Sequence, residues 1–308
     1  MCLMSSNHSN RFLKIRLRKD KYEYFSKGIL SSSLFSIGMD TDLALEVANQ
    51  VEEEVSSLKE TTTKKKLVKI ISSAIEKIDK NLAQRYIVFE GEKKYKPIIV
   101  LLAGVPGIGK STLATSLSER LEITNIIGTD MIREILRQTI SSKLIPEIHS
   151  SSYEAYKYLK STLKPKLKES IVGYEEQSRH VIVGVEAVIE SALYSRENTV
   201  IEGVHLAPNI LNPEVLNEPH VIMILLYLEE EKEHSRRIES RGSRIEKRGA
   251  ESFIDAFLEI RDIQTYLVEE ATKTKIPIIE TTDGSKTITK IMDIIWERIL
   301  QLENKGKE

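Results

Sequence analysis

Two apolar runs, PIIVLLA at 97–103 and VIMILLYL at 221–228, stand out from a chain that otherwise mixes apolar and polar positions closely. Both are far shorter than a membrane span. Their length and β-branched content mark them as buried strands. Around them, strand-like and helical periods alternate. Strands are expected at 97–103, 124–128, 198–202, 220–227 and 276–280. Helices are expected at 110–121, 130–140, 151–172, 174–195, near 230–240, 251–272 and 286–303. Strands separated by helices predict an α/β domain, a parallel sheet flanked by helices.

The first 90 residues have a different rhythm. FLKIRLRKDKYEYFS alternates as a short hairpin would, and three helical segments follow, at about 26–37, in DTDLALEVANQVEEEVSSL and in TKKKLVKIISSAIEKIDKNLAQRYIVF. Leu43, Val47 and Val51 form one apolar stripe, with Asp40 or Thr41 as the cap before it, and Leu67, Ile70, Ile71 and Ile75 form another. The pattern therefore divides the chain into a tail (1–10), a small mainly helical domain (11–90), a polar linker (91–96) and the α/β domain (97–308).

Charge and cysteine content narrow the function. A formal charge of −1 over 308 residues argues against a nucleic-acid partner. The lone Cys2 allows no internal disulfide and no cysteine metal cluster, which fits a reducing cytoplasm. MCLMSSNHSN lacks the apolar run of a signal peptide, and no membrane contact is expected. Abundant Lys, Glu and Ile hint at life at high temperature.

The chemistry begins at GVPGIGKST. Gly104, Gly107 and Gly109 let the backbone curl so that its N–H groups face phosphates, and the helix after it adds its positive end. Lys110 supplies a charge near the β- and γ-phosphates, Ser111 is the expected Mg²⁺ ligand, and Thr112 follows in the same phosphate-binding turn. The stretch follows an apolar strand and opens a helix, as phosphate loops do. ATP and Mg²⁺ are the implied ligands.

Two carboxylates close the next strands. Asp130 ends NIIGTD, where an open parallel sheet collects its ligands; it suits a base beside an acceptor hydroxyl, or a helix cap. Arg133 and Arg137 share its helix face and suit an anionic acceptor, or a solvated ion pair. Glu202 ends NTVIEG and is the candidate to support the metal, or an ordinary strand-end acid. His205 lies at the same edge, as a site residue or a structural one. EEEKEHSRRIESRGSRIEKRGAE then carries Arg236, Arg237, Arg241, Arg244 and Arg248 around a glycine break. It reads as a positive lid over the phosphates, with Arg237 and Arg241 acting in catalysis, or as a solvated charged helix.

From 97 to about 300 the chain resembles archaeal 2-phosphoglycerate kinase. The resemblance is carried by GVPGIGKSTLA, IIGTDMIREILRQTIS, LIPEIHSSSYEAYK, GYEEQSRHVIVGVEAVIESAL, TVIEGVHLAP and FLEIRDIQTYL, in that order. It implies a phosphate-loop kinase that phosphorylates the 3-hydroxyl of 2-phosphoglycerate, towards a cyclic diphosphoglycerate. The acceptor's phosphate and carboxylate would meet Arg133, Arg137, His149, His205 and Arg261. RLRKDKYEYFSKGIL and its helices resemble an ATP-cone, a module that binds adenine nucleotides. Arg18 and Lys19 would touch its phosphates, and Lys21 stands where that module usually has glycine. The residues by themselves also allow another small anionic acceptor, such as a sugar or inositol phosphate or a nucleotide, or an ATP-sensing regulator.

Overall fold

The computed structural model describes residues 13–18, 21–58, 61–91, 97–159, 167–242 and 255–305. The expected tail, Lys19, residues 92–96 of the linker, Arg244 and Arg248 lie outside the described residues, and Arg18 and Arg241 are described in their backbone only. The chain divides into two compact units, residues 1–93 with 299–308, and residues 94–298. The last ten residues thus group with the first unit, although the unbroken apolar period of the final helix gave no sign of a boundary there.

The first unit holds β1 (Lys14–Arg18), β2 (Lys21–Tyr24), α1 (Lys27–Ser36), α2 (Thr41–Ser56), β3 (Thr61–Thr63), α3 (Lys64–Glu76) and α4 (Lys80–Phe89). β1 and β2 form the expected antiparallel hairpin, and β3 pairs with β1 in parallel to complete a sheet of order β2-β1-β3. Three residues are too few for a strand to declare itself by alternation, so β3 was not expected, and its last residue, Thr63, falls at the start of the expected third helix. The long third helix is in fact two. The Asp79 carboxylate accepts from the backbone N–H of Asn81 at 2.7 Å and Leu82 at 3.0 Å, which caps α4 and ends the continuous run. Asp40 caps α2 in the same way, accepting from Leu43 N–H at 3.0 Å.

The second unit is built on β4 (Ile99–Ala103), α5 (Lys110–Leu121), β5 (Asn125–Gly128), α6 (Thr129–Thr139), α7 (Glu169–Ser195), β6 (Thr199–Gly203), α8 (Pro213–Asn217), β7 (Val221–Tyr227), α9 (Glu231–Gly242), α10 (Phe257–Lys273) and β8 (Ile278–Glu280), with α11 (Gly284–Lys305) closing the chain. All five strands are parallel, in the order β5-β6-β4-β7-β8. β4 is the central strand, and all five of its residues are buried. Burying each of its branched side chains stabilises the sheet by about 1.5–3 kcal/mol. In register, Leu102 of β4 lies beside Glu202 of β6, which lies beside Gly128 of β5. The sheet therefore sets the ends of these three strands side by side.

The helix expected from 151 is not seen among its described residues before α7: 151–159 form a loop with a 3₁₀ turn at Ala155–Tyr158, after an earlier 3₁₀ turn at Pro146–His149. Tyr153, Tyr156 and Leu159 recur every three residues, a spacing that suits a 3₁₀ turn as well as a helix, and Pro165 interrupts any helix reaching 172. α7 is then a single helix of 27 residues. Tyr174, Gln177, Val181, Val185 and Ile189 lie along its buried face.

Candidate active site

The turn after β4 is the expected phosphate loop. Gly104, Gly107 and Gly109 have φ of 147°, 84° and 90°, a region only glycine enters without strain, and Gly109 leads directly into α5. The N–H groups that open α5 have no side-chain cap, so they are left to a ligand. Lys110 is 7% exposed and donates from Nζ to the Val105 carbonyl at 2.9 Å, which holds the loop in its curl.

Two depressions meet at this loop. One is lined by Pro106, Lys110, Ser111, Gly128, Thr129, Asp130, Arg133, Ser151 to Tyr153 and Glu202 to Val204. The other is lined by Gly107 to Leu113, Arg237, Ser240, Thr281, Thr282, Gly284 and Thr287. Lys110 and Ser111 belong to both. A nucleotide in the second depression and an acceptor in the first would meet across these two residues.

Ser111 Oγ donates to Glu202 Oε1 at 2.8 Å. Among the described residues no group of three or more His, Cys, Asp or Glu is placed to hold a metal ion. A Mg²⁺ ion held mainly by nucleotide phosphates and water needs only one or two protein oxygens, and the Ser111–Glu202 pair offers them.

Asp130 sits in the first turn of α6, whose cap position is Gly128, so it is not the helix cap. Its side chain is 74% exposed, and its Oδ1 lies 3.6 Å from Arg133 Nε. Arg133 is held on its other side: Nη1 donates to the carbonyls of Ile148 and Ser150 at 3.2 and 3.0 Å. Its Nε is buried without a hydrogen-bond partner. The rest of the guanidinium lines the cleft, where an acceptor anion would meet it.

The other expected cationic partners are engaged elsewhere. Arg137 shares the face of Arg133 but is drawn into a bidentate pair with Glu134, at 2.8 and 2.6 Å, and does not line the cleft. His149 Nε2 bonds the Ile140 carbonyl at 2.9 Å, which fixes the turn after α6. Arg261 donates to the carbonyls of Leu228 and Glu229 at 2.7 and 3.0 Å and ties α10 to the end of β7. Arg237 was expected on the transferring phosphoryl group. Its guanidinium instead bonds Glu233 and the carbonyls of Thr281 and Thr282, at 2.8, 2.8 and 3.1 Å, so it braces the wall of the second depression. Arg261→Met should change kcat and KM by less than about twofold and cost about 1 kcal/mol of stability, because Gln264 Nε2 still donates to the Leu228 carbonyl. A large loss of acceptor affinity in steady-state kinetics would return Arg261 to the site.

His205 is at the right strand end but fully buried, so it cannot meet a substrate directly. Its two ring nitrogens face Thr129 Oγ1 at 2.8 Å and Gln177 Oε1 at 3.0 Å.

Comparison with known proteins gives the same frame a family. A 2-phosphoglycerate kinase of Pyrococcus horikoshii is 40% identical over 286 residues, covering 92% of this chain and 93% of its own. The Methanopyrus kandleri 2-phosphoglycerate kinase is 37% identical over 298 residues, covering 95% and 90%. The Methanocaldococcus jannaschii one is 35% identical over 308 residues, covering 96% of each. The chain belongs to the 2-phosphoglycerate kinase family. No family model matches it. Among the described residues no helix is long and apolar enough to cross a membrane.

Two buried polar residues beside the site carry no signal in the sequence. Gln177, mid-helix on α7, is fully buried among polar partners, and His234 on α9 bonds the Pro106 carbonyl of the phosphate loop at 2.8 Å. Neither sits in a pattern that separates it from an ordinary helical residue. Burial holds His205 at about 4, against an ordinary 6.5, since desolvation disfavours the charged ring more than Asp130 favours it. Between those values the unfolded chain binds a proton that the folded chain does not. Stability should therefore be full above pH 6.5 and fall towards pH 4, by up to about 3 kcal/mol from this group. Urea midpoints at pH 7 and pH 5 test this, and His205→Asn should flatten the slope.

Proposed function

We propose that this chain transfers the γ-phosphoryl group of ATP to the 3-hydroxyl of 2-phosphoglycerate, giving 2,3-bisphosphoglycerate and ADP. The observation that carries the reading is the sharing of Lys110 and Ser111 by two depressions, of which one also holds Asp130 and Arg133. ATP occupies the depression formed by Gly107 to Leu113, with its phosphates on the loop N–H groups. Lys110 faces the β- and γ-phosphates, and Ser111 and Glu202 hold Mg²⁺, which neutralises phosphate charge when bound. The acceptor lies in the other depression, with an anionic group on the Arg133 guanidinium that lines it.

Asp130 orients the 3-hydroxyl and takes its proton as the oxygen bonds to the γ-phosphorus and the bond from that phosphorus to the ADP oxygen breaks. Phosphoryl transfer asks little covalent chemistry of a protein. Position and charge supply most of the acceleration. Arg237 supports the wall of the nucleotide depression; Arg244 and Arg248, expected in a lid, lie outside the described residues.

The domain reading is also ours. Residues 11–90 form an ATP-cone that binds a second adenine nucleotide. A groove walled by Glu23, Tyr24, Ile29, Lys64, Tyr86 and Glu90 supports this. The reaction reading is tested by ADP release from Mg²⁺-ATP with 2-phosphoglycerate, against 3-phosphoglycerate and a nucleoside monophosphate. Turnover confined to 2-phosphoglycerate is expected. Turnover on a control but not on 2-phosphoglycerate would overturn the acceptor and leave the ATP site standing.

A further inference from the structure

Thr129, Gln177 and His205 are each fully buried. They form one chain of hydrogen bonds whose direction can be deduced. Gln177 Nε2 donates to the carbonyls of Glu147 and Ser150, at 2.5 and 3.1 Å. Those acceptors have no proton to offer, so the Gln177 oxygen must be the atom that faces His205. His205 Nε2 therefore carries the hydrogen. Its Nδ1 is bare and accepts from the Thr129 hydroxyl. Burial keeps the ring neutral, which this arrangement requires.

Both ends of the chain reach the cleft. Thr129 is the residue before Asp130. The Glu147 and Ser150 carbonyls belong to the loop that runs on into Ser151, Ser152 and Tyr153, one wall of the cleft. Arg133 holds the same loop, since its Nη1 also donates to Ser150. Ser150 is thus gripped from α7 and from α6. A loop that shifts would release Arg133 from the orientation in which it lines the cleft.

We propose that Thr129, His205 and Gln177 act as a positioning relay that fixes the 147–153 loop against the Asp130 strand end and thereby sets acceptor affinity. The proposal rests on reading this cleft as the acceptor site. None of the relay's hydrogen bonds goes to a residue of the nucleotide depression, so its loss should separate the two substrates. Gly203 shows how closely the relay is packed. A Cβ there would stand 1.8 Å from Thr129 Oγ1.

The test compares Thr129→Val, which keeps the shape and removes the donor, with Thr129→Ser, which keeps the donor. Gln177→Leu is the third variant. Thr129→Val and Gln177→Leu should raise KM for 2-phosphoglycerate about tenfold or more and leave KM for ATP within about twofold, while Thr129→Ser restores wild-type values. Lower thermal midpoints with both KM values unchanged, or equal rises in both, would overturn the relay. If Gln177→Leu does not fold, the Thr129 pair decides. A second readout needs no substrate. Long-range proton–nitrogen NMR of the His205 ring should show the Nε2–H tautomer at neutral pH, and the Nδ1–H tautomer would overturn the proposal even if the acceptor proves to be another anion.

Discussion

Asp130→Asn lowers turnover by about 100- to 10,000-fold and leaves ATP affinity near its original value. The size follows from what an amide cannot do. It keeps the shape of the carboxylate and can still orient a hydroxyl, but it cannot take the proton that leaves as the new oxygen–phosphorus bond forms. Asp130 is the exposed acid of the cleft, 3.6 Å from Arg133, while Glu202 is already bonded to Ser111 beside the phosphate loop. On the proposed mechanism the two acids have separate tasks, one at the acceptor and one at the nucleotide. The measurement is kcat with saturating 2-phosphoglycerate, beside ATP binding by calorimetry. Unchanged turnover would remove Asp130 from the mechanism; lost ATP binding would move it to the nucleotide side.

Lys110→Met should be as damaging, for two reasons that act together. The cation lies where the depressions meet, so its charge falls on the phosphoryl group in transit. Removing one such electrostatic stabiliser typically costs about 100- to 1,000-fold in rate. Lys110 is also part of the loop's own structure, because Nζ holds the Val105 carbonyl and Val105 is fully buried. Met fills the space but leaves that acceptor without this donor, which loosens the phosphate cradle and weakens ATP affinity. The variant therefore differs from Asp130→Asn in kind: both kcat and ATP binding fall. It also isolates the first unit. If residues 11–90 bind adenine nucleotide, calorimetry on Lys110→Met should retain one ATP per chain. Loss of all ATP binding would count against the ATP-cone.

Much of this was legible in the sequence where the information is local. Glycine spacing and an apolar run before GVPGIGKS dictate the phosphate loop, because backbone curl and strand burial depend on neighbours a few residues away. Strand and helix periods placed Asp130 and Glu202 at strand ends, and a parallel sheet brings all such ends to one edge. The break at Asp79 was present as a cap residue and was hidden by the apolar positions on both sides of it.

The cations show where local reading stops. Arg133 and Arg137 lie on the same helix face, as their spacing requires, yet one meets the cleft and the other does not. Arg137 finds Glu134 within its own helix. Arg133 finds the carbonyls of Ile148 and Ser150, in and just after a 3₁₀ turn that no apolar period marks. His149, Arg237 and Arg261 likewise end on backbone carbonyls. A guanidinium or imidazole goes to whichever unsatisfied acceptor the fold leaves within reach, and those acceptors belong to turns that no periodicity specifies.

The sequence by itself therefore determined that this chain makes a phosphate loop on a parallel sheet, with two acids at the adjoining strand ends. Only the tertiary structure decided that Arg133 rather than Arg137 lines the cleft, and that His205 is a buried link between Thr129 and Gln177. The physical reason is range. Backbone curl and strand burial are set by residues nearby in the chain, whereas the partner of a buried polar side chain is set by segments far away, 76 residues for Thr129 and His205 and 128 for His234 and Pro106.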